Sequence, residues 1–268
     1  MPYRARRKVV RKSLIRRPQR YLYKYASVLP SKESIRNLRS IVIDSSLWLC
    51  SPLQFNDPFD CKVYFSIDTI SSNGLWRFAE QKEKIEHDIG GALDETSLMV
   101  VMKNIADGTS RMILSKTGVT CFSEDPRNLL MWSHYAKDHS GICFQFEVVN
   151  DWNIFSRAYA VAYTEKYPTE YLFESDPKRS AQNVLSKFKN WQYEKEHRIV
   201  ALDGAKRYLR FAPKALTGII LGACIKDEEE ELISVIVKER GDLGLPKIRI
   251  YRARQHPREY KIILDSCS

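Results

Sequence analysis

Short stretches in which apolar and polar residues alternate recur along this chain, and this period of two predicts β-strands. The clearest alternation lies at residues 21–25, where tyrosines flank Leu22 and Lys24. Further strands are predicted at 47–50, 119–122, 142–146, 159–163, 192–202, 218–221, 248–251 and 260–264. The strands follow one another without a regular strand–helix–strand rhythm, which favours a largely antiparallel arrangement over a doubly wound sheet.

Between these strands, apolar residues at helical spacing predict several helices. A short one covers 34–41, and a long stretch, roughly 75–116, is broken by glycines and rich in Glu and Lys. Asp125-Pro126, Asp176-Pro177 and Asp227 each offer a helix start, and the helix after Asp227 has an acidic first turn that suits the helix dipole. The predicted fold is α+β, with a mixed, largely antiparallel sheet and a helical layer or lobe inserted at about 75–116.

Positive charge is concentrated at the start of the chain. Ten Lys or Arg fall within residues 1–24, whereas the first carboxylate is Glu33. The chain has 43 basic and 33 acidic residues, so the remainder carries 33 of each sign. The sequence therefore predicts a basic arm at 1–20 and a single, electrically neutral domain at 21–268.

A basic arm of this kind predicts contacts with phosphates or with an acidic protein partner. Its candidate nucleic-acid-binding residues are Arg4, Arg6, Arg7, Lys8, Arg11, Lys12, Arg16, Arg17 and Arg20. The alternative is a solvated tail that only keeps the protein in solution.

Other compositional features narrow the class of protein. No apolar run reaches the ~18 residues of a membrane span, and no secretory signal follows the basic start, so we expect a cytoplasmic protein without a membrane partner. The six cysteines form no CxxC pair, and His134 and His139 are five residues apart. Neither spacing suits zinc, and we predict no metal site. The oligomeric state is left open by the sequence.

The first of three motifs with chemical potential is the segment 55–60, Phe-Asn-Asp-Pro-Phe-Asp. Asn-Asp-Pro favours a turn, because Asn and Asp side chains bond back to the backbone and Pro fixes φ. The motif is either a structural corner or a polar loop at the mouth of a site, where Asn56 and Asp57 would bind a ligand.

The second motif runs from 121 to 136, where a strand ends near Ser123 and a helix carries Trp132, Ser133, His134 and Tyr135. An aromatic, His and Ser cluster at a strand-to-helix turn is suited to a nucleotide pocket. The alternative is that Trp132 and Tyr135 belong to the hydrophobic core.

The third motif is the segment 191–199, Trp-Gln-Tyr-Glu-Lys-Glu-His-Arg-Ile. On a strand, Glu194, Glu196 and Arg198 share one face. Two neighbouring carboxylates repel each other, which predicts a raised pKa for one of them and a role in acid–base or oxocarbenium chemistry. Alternatively, Arg198 neutralises both carboxylates on a solvated face.

Taken in order, these motifs resemble a prokaryotic family known as domain of unknown function 2971. The matching elements are residues 22–25, 55–60, 121–124, 131–136 with His139 and Gly141, and 191–196 with Arg198. The resemblance covers about 21–222, and Ala26 departs from the Arg that the family often has there. It implies a bacterial origin and, for some members, a neighbourhood of mobile or phage-defence genes, but no established activity.

A second, weaker similarity is to ADP-ribosyltransferase-like enzymes, which carry a Ser or Tyr strand, a helix with an aromatic residue and a later Glu strand in that order. This resemblance implies NAD as substrate or cofactor, with Glu196, Glu194, Tyr135 and His134 as catalytic residues. Glu196 would bond the nicotinamide ribose, and Tyr135 would stack on nicotinamide. The implied nucleotide-binding residues are Tyr23, Lys24, Tyr25, Asn56, Asp57, Ser123 and Trp132. The first-strand His or Arg of such enzymes has no clear counterpart, since Tyr23-Lys24-Tyr25 stands there.

Two functions are thus predicted. The first is a bacterial defence or toxin-like effector with an ADP-ribosyltransferase-like domain that uses NAD or a related nucleotide. The alternative is a nucleic-acid-binding or nuclease component of a phage-defence complex.

Overall fold

The strands of the chain fall largely where alternation predicts them. The computed structural model describes residues 19–29, 31–66, 72–171 and 182–267, and within the third of these ranges it describes side chains from Trp76 onward. Its strands are β1 (Tyr21–Ala26), β2 (Ser46–Leu49), β3 (Tyr64–Ser66), β4 (Gly118–Ser123), β5 (Ile142–Glu147), β6 (Tyr159–Ala160), β7 (Ala162–Thr164), β8 (Thr169–Tyr171), β9 (Ser186–Phe188), β10 (Glu196–Ala201), β11 (Arg207–Arg210), β12 (Leu216–Leu221), β13 (Arg249–Gln255) and β14 (Ile262–Ser266).

Its helices are α1 (Lys32–Val42), α2 (Ser72–Ile89), α3 (Glu95–Lys116), α4 (Leu129–Tyr135), α5 (Trp152–Phe155) and α6 (Asp227–Asp242). The predicted α+β class, with a mixed and mostly antiparallel sheet, is confirmed. No helix within the described ranges is long and apolar enough to cross a membrane.

The chain divides into two units that alternate along the sequence. The first comprises Met1–Pro30, Glu124–Ser156 and Phe211–Ser268, and the second comprises Ser31–Ser123 and Arg157–Arg210. The predicted single domain at 21–268 stays a prediction.

In the first unit, five strands pair in the order β14-β13-β12-β5-β1. All neighbours are antiparallel except β12 and β13, which α6 connects, because a parallel pair needs a crossover. A core of Trp132, Cys143, Ile220 and Ile262 lies where α4 packs on this sheet. Its burial explains why the apolar strands β5 and β12 do not alternate strictly.

Two helix starts in the first unit differ from the prediction. α4 begins at Leu129 rather than at Asp125-Pro126, because the Asn128 side chain accepts hydrogen bonds from the N–H groups of Leu130 and Met131, at 2.9 and 3.1 Å. α6 has Lys226 at its N-cap, one residue before the predicted Asp227, and its acidic first turn is as predicted.

In the second unit, β10 lies between β4 and β6 in an antiparallel arrangement. An antiparallel ribbon of β2 and β11 and two short parallel pairs, β3 with β8 and β7 with β9, complete its strands. Helices α2 and α3 occupy the range predicted as helical, and Ile85, Leu98 and Met102 pack together between them. The helix predicted after Asp176-Pro177 falls mostly outside the described residues, but its last predicted residue, Phe188, lies in β9.

Candidate functional site

Five charged side chains lie together in the interior of the second unit, and we refer to them as the charged cluster. They are Asp60, Lys187, Glu194, Glu196 and Arg198, and each side chain is at most 6% exposed. Three carboxylates and two cations give the charged cluster a formal charge of −1. Because burial strongly penalises charge, groups like these persist only when they are paired and hydrogen-bonded.

The guanidinium of Arg198 is the centre of the charged cluster. Its Nε and Nη2 donate to the two carboxylate oxygens of Glu196 at 2.7 and 2.9 Å. Its Nη1 and Nη2 donate to the two oxygens of Asp60 at 2.9 and 2.6 Å, and Nη1 also donates to the Val184 carbonyl at 2.8 Å. The planar fork of arginine suits this double bidentate arrangement, which a lysine cannot reproduce.

The ammonium of Lys187, on β9, joins the same carboxylates from another side. Its Nζ lies 2.5 Å from Glu194, 3.2 Å from Glu196 and 3.6 Å from Asp60. It also lies 5.0 Å from the centre of the Trp191 ring, a cation–π distance. Glu196 is therefore held by both cations, through Arg198 and through Lys187.

The backbone that carries the two glutamates differs from the predicted strand. Residues 189–194 form a 3₁₀ turn, Lys195 adopts a left-handed conformation with φ of 45°, and β10 begins only at Glu196. The prediction of one strand over 192–202 is therefore wrong for 192–195. Glu194 and Glu196 still meet, because the turn directs both towards Lys187 rather than because they share a strand face.

Backbone strain lies next to the acids in two places. Besides Lys195, which separates the glutamates, Cys61 has a φ of 56° and follows Asp60 directly. A left-handed conformation is unfavourable for a residue with a side chain, and such residues cluster at functional sites. The chain thus tolerates strain at both segments that deliver carboxylates to the charged cluster.

The protonation state of Glu196 follows from its neighbours. Burial favours the neutral acid, but the charge and hydrogen bonds of Arg198, together with Lys187, outweigh it and lower the pKa of Glu196 to about 2. A raised pKa at Glu196 is therefore wrong, because the two cations face the carboxylate directly. Glu196 stays ionised at neutral pH.

Ser123 and Tyr163 complete the surroundings of the glutamates. Ser123 is the cross-strand partner of Glu196 in the pairing of β4 with β10, and its hydroxyl donates to the Glu194 carbonyl at 2.6 Å. The Tyr163 hydroxyl accepts the backbone N–H of Glu196 at 2.8 Å, and burial raises the pKa of this tyrosine. Ser123 is thus the predicted ligand-binding residue that the structure brings next to the predicted catalytic glutamates.

The first motif contributes to the charged cluster through its last residue. Asp57 accepts the N–H of Phe59 at 2.8 Å, which is the predicted turn chemistry, and Asn56 is exposed. Asp60 then points inward to Arg198, and the Phe55 ring lies 5.2 Å from the guanidinium carbon. The first and third motifs therefore meet in space, whereas the ligand-binding role of Asn56 and Asp57 stays a prediction.

The remaining predicted site residues lie in the first unit. Trp132 is fully buried, and the Tyr25 ring meets it edge-on at 5.2 Å. Tyr23 is half-buried, and burial raises its pKa to about 12. His134 is exposed on α4 beside Tyr135, with ring centres 6.3 Å apart.

Lys24 lies on β1 between the two tyrosines. Trp132 is therefore a core residue, as the alternative interpretation of the second motif predicts, and the partly buried Tyr25 packs against it. The assignment of Tyr135 and His134 to catalysis, and of Tyr23, Lys24 and Tyr25 to ligand binding, stays a prediction.

Of the basic arm, the structure describes Arg20. Its Nε donates to Glu147 at 3.2 Å, and the guanidinium lies 4.9 Å from the centre of the Tyr21 ring. The other eight candidates, from Arg4 to Arg17, lie outside the described residues. In the described part of the chain, no three His, Cys, Asp or Glu side chains group so that they could hold a metal ion.

Family comparison bears on the segment that contains most of these residues. Residues 131–199 match the family model described as Protein of unknown function (DUF2971). The predicted resemblance to this family is confirmed over these residues. The matched segment includes Tyr135, Lys187, Glu194, Glu196 and Arg198. No curated protein and no solved structure matches the chain significantly.

Sequence reasoning missed three members of this site. Lys187 lies on a strand of three residues, too short for an alternation signal, and Tyr163 lies on another. Asp60 stands 138 residues before Arg198. Asp60 closes the first motif and could have been recognised there as a candidate, but no local pattern identified Arg198 as its partner.

Proposed function

We propose that this protein is a bacterial defence or toxin-like effector that cleaves NAD or a related nucleotide in the manner of ADP-ribosyltransferase-like enzymes. The observation that supports the proposal is a glutamate kept ionised inside the second unit. Glu196 is paired with both Arg198 and Lys187 and has a pKa of about 2. A carboxylate in this state is a permanent negative charge that a reaction could use.

The chemistry of nicotinamide release requires such a charge. The bond between the ribose C1′ and the nicotinamide nitrogen breaks, nicotinamide leaves as a neutral molecule, and positive charge develops on the ribose ring. An anion fixed beforehand stabilises this charge more effectively than mobile solvent does. Water or a target nucleophile then adds to C1′ and releases a proton.

The low pKa narrows the role that Glu196 takes in this proposal. A carboxylate with a pKa of about 2 is a weak general base at neutral pH, because proton transfer is most efficient when the pKa lies near the working pH. Two roles remain for Glu196, which are electrostatic stabilisation of the ribose cation and acceptance of a hydrogen bond from a ribose hydroxyl. This low pKa favours oxocarbenium stabilisation over acid–base catalysis for Glu196.

The specific partners of Glu196 support the same role. Burial alone would favour the neutral form of this carboxyl group, and the cations Arg198 and Lys187 reverse that preference. Groups whose ionisation is strongly perturbed by specific partners also mark functional sites.

The decisive experiment incubates the purified full chain with NAD and measures nicotinamide release, with and without protein and nucleic-acid acceptors. We compare the wild type with Glu196→Gln and with Glu165→Gln, an exposed glutamate paired with Lys189 in the same unit. Removal of a transition-state-stabilising group should slow release about 100- to 1,000-fold for Glu196→Gln. The control variant should be as active as the wild type.

Far-UV circular dichroism and thermal unfolding test whether Glu196→Gln is folded at the assay temperature. A folded Glu196→Gln variant that releases nicotinamide as fast as the wild type would contradict the role of Glu196. Absence of release from the wild type under every acceptor condition would contradict NAD use itself.

A second candidate function rests on the charge asymmetry of the chain. Residues 1–24 hold ten cations and no carboxylate, whereas the remainder is balanced at 33 of each sign. We propose, as this alternative, that the basic arm binds the phosphates of nucleic acid within a defence complex. In the otherwise unchanged chain, replacement of the eight cations from Arg4 to Arg17 by Gln should abolish salt-sensitive binding to duplex DNA. The log–log salt slope should fall by about 0.9 for each phosphate that the arm no longer neutralises, and an unchanged slope would exclude the arm.

A further inference from the structure

The ribbon of β2 and β11 in the second unit exposes two aromatic rings on one face. Trp48 and Tyr208 are direct cross-strand partners, with ring centres 5.0 Å apart and planes inclined at 62°. They are 39% and 43% exposed, whereas Leu47 and Leu49, whose side chains alternate with Trp48, are almost fully buried. The ribbon therefore packs its aliphatic face inward and leaves the aromatic face to solvent.

Two exposed cations lie beside this aromatic pair. Arg210 shares the outward face with Tyr208, because side chains two residues apart on a strand point the same way. Lys206 lies at the other end of β11, where its N–H donates to the Leu49 carbonyl at 2.9 Å. Arg207 pairs with Leu49 and therefore belongs to the opposite face. Within the described ranges, neither Lys206 nor Arg210 forms an ion pair with a carboxylate.

A purely structural account explains only part of this surface. A cross-strand aromatic pair stabilises a two-stranded ribbon relative to small side chains. That contribution accounts for the contact between Trp48 and Tyr208. It does not account for Lys206 and Arg210 beside the rings.

We propose that this ribbon face, defined by Trp48, Lys206, Tyr208 and Arg210, binds single-stranded nucleic acid. Exposed aromatic rings flanked by cations are the recurring means of holding a single strand, since bases stack on the rings and phosphates approach the cations. The bases of a duplex are already stacked on each other and cannot use the rings. The proposal is independent of NAD chemistry and concerns a surface other than the basic arm.

The test uses the whole chain with the eight arm cations from Arg4 to Arg17 replaced by Gln, so that the ribbon face is measured alone. Labelled oligo(dT) and oligo(U) of about 15 nucleotides, a length that suits one such surface, are titrated by fluorescence anisotropy. A duplex of equal length and oligoglutamate serve as competitors. Thermal unfolding is recorded for every variant.

Replacement of both aromatic residues, Trp48→Leu with Tyr208→Leu, keeps apolar cross-strand contact and removes the stacking rings. We expect the dissociation constant for the single strands to rise about five- to 100-fold. Tyr208→Phe keeps the ring and should bind within about twofold of the parent, because stacking does not need the hydroxyl. Equal binding by the double Leu variant and the parent would overturn the proposal.

The cations are tested by Lys206→Gln with Arg210→Gln, which should lower the log–log salt slope by about 0.7 for each phosphate that the ribbon face no longer neutralises. Lys84→Gln with Lys103→Gln removes the same charge from exposed positions on α2 and α3 and should leave the slope unchanged. Equal slopes for the two pairs would overturn the proposal.

The competitors decide the class of ligand. Weak competition by both the duplex and oligoglutamate supports a site for single strands. A duplex that competes as well as the single strand overturns base stacking, and oligoglutamate that does so identifies an acidic protein as the partner instead. No binding by the folded arm variant at low salt also overturns the proposal.

Discussion

The Glu196 carboxylate provides the sharpest quantitative test of the charged cluster. Glu196→Gln keeps the shape of the side chain and its capacity to accept one hydrogen bond but removes the charge that Arg198 and Lys187 face. The hydrogen bonds from Arg198 and Lys187 to Glu196 are 2.7–3.2 Å long, which indicates tight pairing. The variant should therefore lose most of the free energy of unfolding that ionised Glu196 contributes.

The magnitude follows from the pKa of the carboxyl group. Its pKa falls from 4.5 to about 2 on folding, which corresponds to about 3 kcal/mol at neutral pH, since one pKa unit is worth about 1.4 kcal/mol. Because the folded-state pKa is the lower one, this stability is fully present above about pH 4.5 and is lost as the pH falls through about 2. By about pH 3, less than half of it should remain.

Urea unfolding monitored by circular dichroism, repeated between pH 7 and pH 3, measures this contribution as the difference between wild type and Glu196→Gln. The control, Glu165→Gln, removes a partner of Lys189 that is 67% exposed, and it should change stability by less than about 1 kcal/mol. The reasoning is refuted if Glu196→Gln is as stable as the control at pH 7. It is also refuted if the difference persists undiminished at pH 3.

Two further predictions concern packing and burial. Gly222→Ala should destabilise the protein by about 1–3 kcal/mol, because a Cβ there would lie 2.1 Å from the His139 carbonyl oxygen. Gly108→Ala, in the open middle of α3, should instead stabilise it by about 0.5–1 kcal/mol. Thermal unfolding of both variants checks these opposite signs, and equal signs would contradict the packing described. Burial raises the pKa of the Cys61 thiol, whereas Cys224 is exposed. A thiol reagent should therefore modify Cys224 in the native protein and Cys61 only after unfolding. Mass spectrometry of the labelled peptides checks this order, and early labelling of Cys61 would contradict its burial.

Local sequence was sufficient where a single element decides its own conformation. The alternation in β1, the apolar run of β12 and the acidic first turn of α6 all predict the observed element, because side-chain period and helix-end electrostatics are local properties. The boundaries were less well determined. Asn128 rather than Asp125 caps α4, and the choice between two such residues depends on the hydrogen bonds that each makes after folding.

The short elements of the second unit could not be predicted in this way. β9 has three residues and pairs in parallel with β7, whose residues lie 24 positions earlier. A strand this short carries no period, and its conformation is fixed by its partner. For this reason Lys187, which β9 carries into the charged cluster, escaped sequence reasoning.

The sequence by itself determined where positive charge is concentrated, which family the middle of the chain resembles, and that Glu194 and Glu196 stand close together. Only the tertiary structure decided what those glutamates are. It brings Asp60, from 138 residues away, onto the same guanidinium, and it places Lys187 opposite both glutamates. The sequence pattern allowed a raised pKa, and the structure gives Glu196 a lowered one. Coulomb energy and desolvation depend on distance and burial in space, and neither can be inferred from the order of residues along the chain.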